Sequence, residues 1–516
     1  CALPICVFWY QANELLPQIA MENFGEETLT WLRDHPEWDP RVRLAAPERR
    51  DEVLASIAQG EAHQHEHDAH TCMAEACLAM DMSTMSMHLS VANMMIGEDG
   101  DEGEKLDGIP EWFVGPMVKS LVTHEVGHTL GLRHNFKASS IYEYDEINSE
   151  ELKGNTPFAA SVMDYNPVNI SMDDDLVQGD YGNTGIGPYD YWAIEYGYTF
   201  DNPKEVLKRV AEPQLIYGTD EDSRGPDPLV RTYDLAADPL DYAENQIKLV
   251  NWHRERILDE FVKDGESWDR ARRGYSITLN TQASAISIMS NWLGGAFVYR
   301  DHKGDPDGRA PHEPVPAAQQ RAALDFVIKH AFYDEAFGIT PELLAHMATE
   351  KWGTGADSTW AVHDNIMGVQ ASALTQIINP TTLRRIYDNE MLVPAEEDMI
   401  TLPEVLTQVR DAVWEELEDV SDGDYSERQP LISSLRRALQ REYLDRMLSL
   451  ARGNAWSSAS GQTLAGLIVL ELEELEEQIG DALDHDDIMD RYTLAHLREA
   501  EKRIDEILDA GYLRTD

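Results

Sequence analysis

Thr123-His-Glu-Val-Gly-His-Thr-Leu-Gly-Leu-Arg-His134 is the stretch around which the rest of the chain is organised. His124 and His128 are four residues apart, so on a helix they stand one turn apart on the same face. Two neutral imidazoles there can share one tetrahedral cation, and zinc is the usual occupant of His-rich sites that keep an open position. Glu125 projects about 100° round the helix from the first His, beside the metal but not on it. A general base for a metal-activated water belongs there. Gly131 can take the left-handed conformation that ends a helix, which lets the chain turn back and deliver His134 as third ligand. Three neutral ligands leave zinc one site for water, whose pKa then falls to about 7. At this chain's own His, Glu and Gly frequencies, a chance match to the five fixed positions has a probability on the order of 10⁻⁴. The competing reading, an amphipathic helix with satisfied structural histidines, carries less weight.

The pattern His-Glu-x-x-His-x-x-Gly-x-x-His resembles the zinc signature of the metzincin metalloproteases. Those enzymes carry a downstream turn with a Met beneath the metal, and Ser161-Val-Met-Asp-Tyr165 stands in a suitable place. The longer text Leu130-Gly-Leu-Arg-His-Asn-Phe-Lys-Ala-Ser-Ser140, with Ser161-Val-Met-Asp-Tyr-Asn-Pro167, is similar to a group of large bacterial secreted zinc-dependent metzincins. Gly187-Pro-Tyr-Asp-Tyr-Trp-Ala-Ile-Glu-Tyr-Gly-Tyr198, Arg300-Asp-His-Lys-Gly-Asp305 and Ser434-Leu-Arg-Arg437 extend the likeness over most of the chain. The resemblance implies that Met163 forms the floor of the site. It also implies that Tyr165 can donate a hydrogen bond to a developing oxyanion. Asp164 stands where several such families have His. Asn135 is not the residue that the best-known families place after the third His.

Composition narrows the partners. The 516 residues are too many for one ordinary core, and a hydrophobic share of 42% suffices for globular folding. Against 95 acidic residues stand 42 basic ones, a formal charge of −53. Such a surface repels nucleic acid and anionic membranes, which leaves protein or peptide substrates as the expected partners. Abundant Asp and Glu with scarce Lys fits saline surroundings, and a calcium-loaded extracellular protein is the other explanation. A secreted or periplasmic, bacterial location follows from the resemblance. No stretch approaches the ~20 apolar residues needed to span a bilayer. Cys1, Cys6, Cys72 and Cys77 are too few for a disulfide scaffold and leave their pairing open. The abrupt start, Cys1 followed by the apolar run Ala2 to Tyr10, reads as a chain whose upstream part is missing. A mature lipoprotein beginning at a lipidated Cys is the alternative.

The expected fold is an α/β metzincin-like catalytic part with a sheet remnant, followed by a mainly all-α C-terminal region. The boundaries expected are 1–200 for the zinc domain, 201–395 for a helical domain and 396–516 for a C-terminal helical bundle. Ile5 to Tyr10 reads as a buried strand and Arg49 to Met95 as a long helical segment. Phe113, Met117 and Leu121 form the apolar stripe of the helix that leads into the histidines. Asp241 to Asp264 reads as one amphipathic helix. In the last part Ile468, Leu472, Leu475 and Ile479 form a stripe opposite a Glu-rich face, and a final helix with Leu497, Ile504 and Ile507 packs back on it.

Two secondary metal candidates compete with ordinary surface. In the cluster His63, His65, His67 and His70, the residues at 63, 67 and 70 would share a helical face and could bind a second ion, although such runs are more often a solvated helix face. Asp173 to Asp175, Asp180 and Asn183 are hard oxygen donors for calcium, although their spacing matches no EF-hand. The function expected is a zinc-dependent endopeptidase: His124, His128 and His134 hold zinc, and Glu125 is the base. The alternative is an inactive binding or scaffold protein with a structural zinc and an acidic helical interaction region.

Overall fold

The computed structural model describes residues 105–106, 109–348, 359–418, 425–451 and 459–511, with Leu54, Val420 and Gly423 besides. Strands β1 (Lys105–Leu106) and β2 (Ile109–Pro110) pair antiparallel and run straight into helix α1 (Glu111–Thr129). At about 100° per residue, His124 lies only about 20° round from Phe113, whereas Leu121 lies about 80° away. Burial follows those angles. Phe113 and His124 are buried, while Leu121 is 45% exposed beside the half-exposed Val118 and Val122. The apolar stripe expected through Leu121 therefore stops short of it.

From α1 to residue 238 the chain is mostly irregular, with short helices α2 (Tyr144–Ile147), α3 (Pro188–Tyr198) and α4 (Pro203–Leu207). So much buried loop backbone needs partners, and amide side chains supply them. Asn148 Oδ1 accepts from the Gly179 N–H and from Asn169 Nδ2, and Gln178 Nε2 donates to the Asn169 carbonyl. The acidic loop expected to offer calcium ligands is likewise occupied with itself. Asp173 accepts from the Asp175 N–H and pairs with Lys248, and Asp180 accepts from the Gly154 N–H. Among the described residues these carboxylates do not converge as metal-binding groups do, so calcium has no support.

Beyond residue 238 the chain is helical: α5 (Pro239–Arg254), α6 (Asp269–Ser290), α7 (Ala317–Ala331), α8 (Pro341–His346), α9 (Val362–Ile378), α10 (Pro380–Asn389), α11 (Leu402–Val413), α12 (Ser434–Ala451), α13 (Ala459–Leu483) and α14 (Arg491–Gly511). A second hairpin, β3 (Ala296–Val298) with β4 (His312–Pro314), pairs Phe297 with Glu313. The single helix expected over 241–264 is instead α5 followed by a π-helical turn at Ile257–Phe261. The wider turn re-aims the chain so that Ile257 is buried.

One continuous apolar cluster runs from Tyr144 to Ile504, with α9 inside it. From Gly368 to Ile378 every residue of α9 is buried, and each large apolar side chain there contributes roughly 1.5–3 kcal/mol. The stripe Ile468, Leu472, Leu475 and Ile479 is fully buried, as its period requires, and Leu497 and Ile504 of α14 are buried against the same core. Arg436, in the Ser434–Arg437 text, donates to the carbonyls of Phe332, Ala412 and Val413 and to Glu416. It thereby caps the C-terminal ends of α7 and α11 together, where a cation is favoured.

Among the described residues the sheets are these two hairpins, so the architecture is mainly helical. The expected strand Ile5 to Tyr10, the four cysteines and the His63–His70 cluster lie outside the described residues. Among the described residues no helix is long and apolar enough to cross a membrane.

Candidate metal centre

Helix α1 ends one residue after His128, and the way it ends decides where His134 goes. Gly131 has φ +89°, the Leu132 N–H donates to the Gly127 carbonyl at 3.1 Å, and the Gly131 N–H donates to the His128 carbonyl at 3.0 Å. This is a Schellman closure with glycine in the left-handed position, where a Cβ would be strained. The chain reverses, and the ring of His134 comes to 5.3 Å from that of His124 and 4.9 Å from that of His128. One ring nitrogen from each of the three residues lies within 4.8 Å of the others.

Each imidazole is held by its Nδ1. His124 Nδ1 donates to the Val162 carbonyl at 2.8 Å, His128 Nδ1 to the Leu132 carbonyl at 3.0 Å, and His134 Nδ1 to Asp220 Oδ1 at 2.8 Å. With Nδ1 protonated, each ring presents the Nε2 lone pair, the tautomer that a metal requires. His124 Nε2 is buried without a hydrogen-bond partner. A lone pair in that position is costly unless something binds it. Burial lowers the His124 imidazole to about 4, against the opposing pull of the Val162 carbonyl, so it is neutral at physiological pH. Three converging ring nitrogens, one of them with an orphaned lone pair, fit a zinc ion.

Met163 lies beneath α1 and is fully buried. A Cβ added to Gly127 would sit 2.4 Å from Met163 Sδ, so the glycine inside the His-Glu-Val-Gly-His run makes room for the methionine. Tyr165 is half-buried, and its hydroxyl lies 3.0 Å from His134 Nε2. Glu125 is exposed on the helix next to His124. The structure thus brings His124, His128, His134, Met163 and Tyr165 into one site and sets Glu125 at its solvent side.

Two carboxylates and an amide to which the motif reading gave no role also belong here. Asp220 accepts from His134 and also from the Thr219 hydroxyl at 3.1 Å. Partial burial pushes its carboxyl up, but the hydrogen bond from His134 and the neighbouring donors hold it below the usual range. Asp190 accepts from Ser161, Val162 and Gly187 and so braces the turn that carries Met163. Asn135 is buried; its N–H donates to the Met163 carbonyl, its Nδ2 to the Ile216 carbonyl, and its Oδ1 accepts from the Gly218 N–H. Asp190 was findable as the acidic residue within Gly187-Pro-Tyr-Asp-Tyr-Trp192, whereas nothing local to Asp220 marks it. Asp164 is buried and accepts from the Ser139 N–H at 2.7 Å; burial and the nearby Asp234 push its carboxyl well up.

The Met-zincin family model matches residues 107–421, more than half of the chain. No curated protein and no solved structure matches it significantly.

Proposed function

The chain belongs to the Met-zincin family, and on that premise we propose that it is a zinc-dependent endopeptidase acting on proteins or peptides. The observation that carries the reading is the convergence of three imidazoles, each with its Nδ1 already engaged and its Nε2 turned inward. His124, His128 and His134 would hold the ion. Bound zinc supplies Lewis acidity toward the scissile carbonyl and the attacking water. Glu125 takes a proton from that water and passes it to the leaving amine. Its exposed carboxylate, one residue from the first ligand, supports this role. Tyr165 donates to the developing oxyanion, and a hydroxyl 3.0 Å from a ligand nitrogen supports that assignment. Met163 packs under the ligands and takes no part in the chemistry. In this reading residues 1–200 supply the ligands and the base, and the helical parts 201–395 and 396–516 buttress them. A secreted or periplasmic location fits the −53 charge.

Incubating the purified chain with casein, with and without a chelator, tests the proposal. Peptide release that stops with the chelator and returns with zinc is expected, together with its loss in Glu125→Ala. Chelator-insensitive cleavage, or a Glu125→Ala variant with native activity, would contradict the mechanism. Stoichiometric zinc without any cleavage would favour a structural ion in a scaffold protein.

A further inference from the structure

Helix α3 begins against the turn that carries Met163. The contact is backbone to backbone: a Cβ on Gly187 would lie 1.9 Å from the Ala160 carbonyl oxygen, and the Tyr189 N–H donates to that same oxygen at 3.0 Å. Asp190, the third residue of α3, is 2% exposed. Its Oδ2 reaches back to the Gly187 N–H at 2.9 Å, as an acidic residue in the first turn of a helix often does. That bond serves α3 alone. The other two do not. Oδ2 also accepts from the Val162 N–H at 2.9 Å, and Oδ1 accepts from the Ser161 hydroxyl at 2.5 Å.

Ser161 Oγ in turn accepts from the Met163 N–H at 3.0 Å. That N–H belongs to the same planar peptide unit as the Val162 carbonyl. In a trans peptide the N–H and C=O point in opposite directions within that plane, so fixing the N–H aims the carbonyl the other way, and there it receives the Nδ1–H of His124 at 2.8 Å. Asp190 therefore controls the direction of a carbonyl that it does not touch. His124 is the most buried of the three imidazoles, so its ring depends on this acceptor for its angle. The His128 acceptor, Leu132, comes from the turn that closes its own helix, and the His134 acceptor is a side chain. His124 alone among the three takes its orientation from the Met163 turn.

We propose that Asp190 is a positioning residue of the metal centre, acting through Ser161 and the Val162–Met163 peptide to aim His124 Nε2 at the ion. The inference rests on the reading that the three imidazoles hold zinc. It assigns the Asp of Gly187-Pro-Tyr-Asp-Tyr-Trp192 a task in metal affinity besides its place at the start of α3.

The test is the zinc dissociation constant of the full chain, measured by competition with a chromophoric chelator, for the native protein and for Asp190→Asn. The substitution keeps the shape and puts an amide where three donors point. Zinc affinity is expected to fall roughly 10- to 100-fold, the usual effect of losing a partner behind a metal ligand. The visible bands of the Co²⁺-loaded protein are expected to shift. Leu402→Ala, a buried change in α11 far along the chain, lowers the melting temperature but is expected to leave zinc affinity native. Asp190→Asn with native zinc affinity and unshifted cobalt bands would overturn the proposal. If Asp190→Asn fails to fold, Ser161→Ala decides: several-fold weaker zinc binding supports the relay, and native affinity sinks it. A native chain that takes up no zinc at all removes the three-imidazole reading first, and the inference with it.

Discussion

Asp220 Oδ1 lies 2.8 Å from His134 Nδ1, although the two residues are 86 positions apart. A carboxylate in that place fixes the tautomer, holds the ring angle and raises the basicity of Nε2. Asp220→Ala is expected to weaken zinc binding roughly 10- to 100-fold. Asp220→Asn, whose carbonyl oxygen still accepts from Nδ1–H, is expected to weaken it less. Chelator competition on both variants checks the order, and equal losses would point to the backbone of the 219–223 turn instead.

Tyr165→Phe removes a hydroxyl that lies 3.0 Å from His134 Nε2. If that hydroxyl serves the oxyanion, kcat is expected to fall about 10²- to 10³-fold while KM and zinc stoichiometry stay native. Steady-state kinetics on a peptide substrate separates the two constants. A native kcat would remove Tyr165 from the chemistry.

Gly127→Ala places a methyl group 2.4 Å from the sulfur of the fully buried Met163. Overpacking of this kind costs about 1–3 kcal/mol, and denaturant unfolding of the metal-free chain measures it. Met163→Ala empties the space, so the double variant is expected to show a smaller penalty for Gly127→Ala than the native background does. Additive penalties would mean that the two residues do not meet.

His253 is buried, and burial lowers its imidazole from an ordinary 6.5 to about 4, with Arg256 adding to the effect. Between those two values the unfolded ring binds a proton that the folded ring refuses. Folding stability from this group is therefore full above about pH 6.5 and is lost as pH falls toward 4. Compared with the native chain, His253→Gln is expected to lose less stability across that window, by up to about 1.4 kcal/mol per pH unit. Paired unfolding curves at pH 7 and pH 4.5 measure the difference, and parallel losses would refute it.

The parts of the site that were legible in the sequence are those set by local geometry. A four-residue spacing puts His124 and His128 on one helix face whatever surrounds the helix, and Gly131 permits the reversal whatever follows. The buried stripe Ile468, Leu472, Leu475 and Ile479 was readable for the same reason. Leu121 was misjudged because a stripe drawn through three residues ignores the 80° that separates its ends. The π-turn after α5 left no sign in the pattern, because one extra residue in a turn does not disturb an apolar period enough to be seen.

The sequence by itself determined which atoms are available to a metal: three imidazoles, one neighbouring carboxylate, and a methionine and a tyrosine downstream. Only the tertiary structure decided how those atoms are aimed. The acceptors behind two of the three rings, Val162 and Asp220, are 38 and 86 residues from the histidines they hold. So is the brace behind the first of them, since Asp190 reaches Val162 across 28 residues. Such bonds follow no period and no short motif. They exist because the chain, folding over its helical core, brings distant polar groups together where burial makes an unmade hydrogen bond costly.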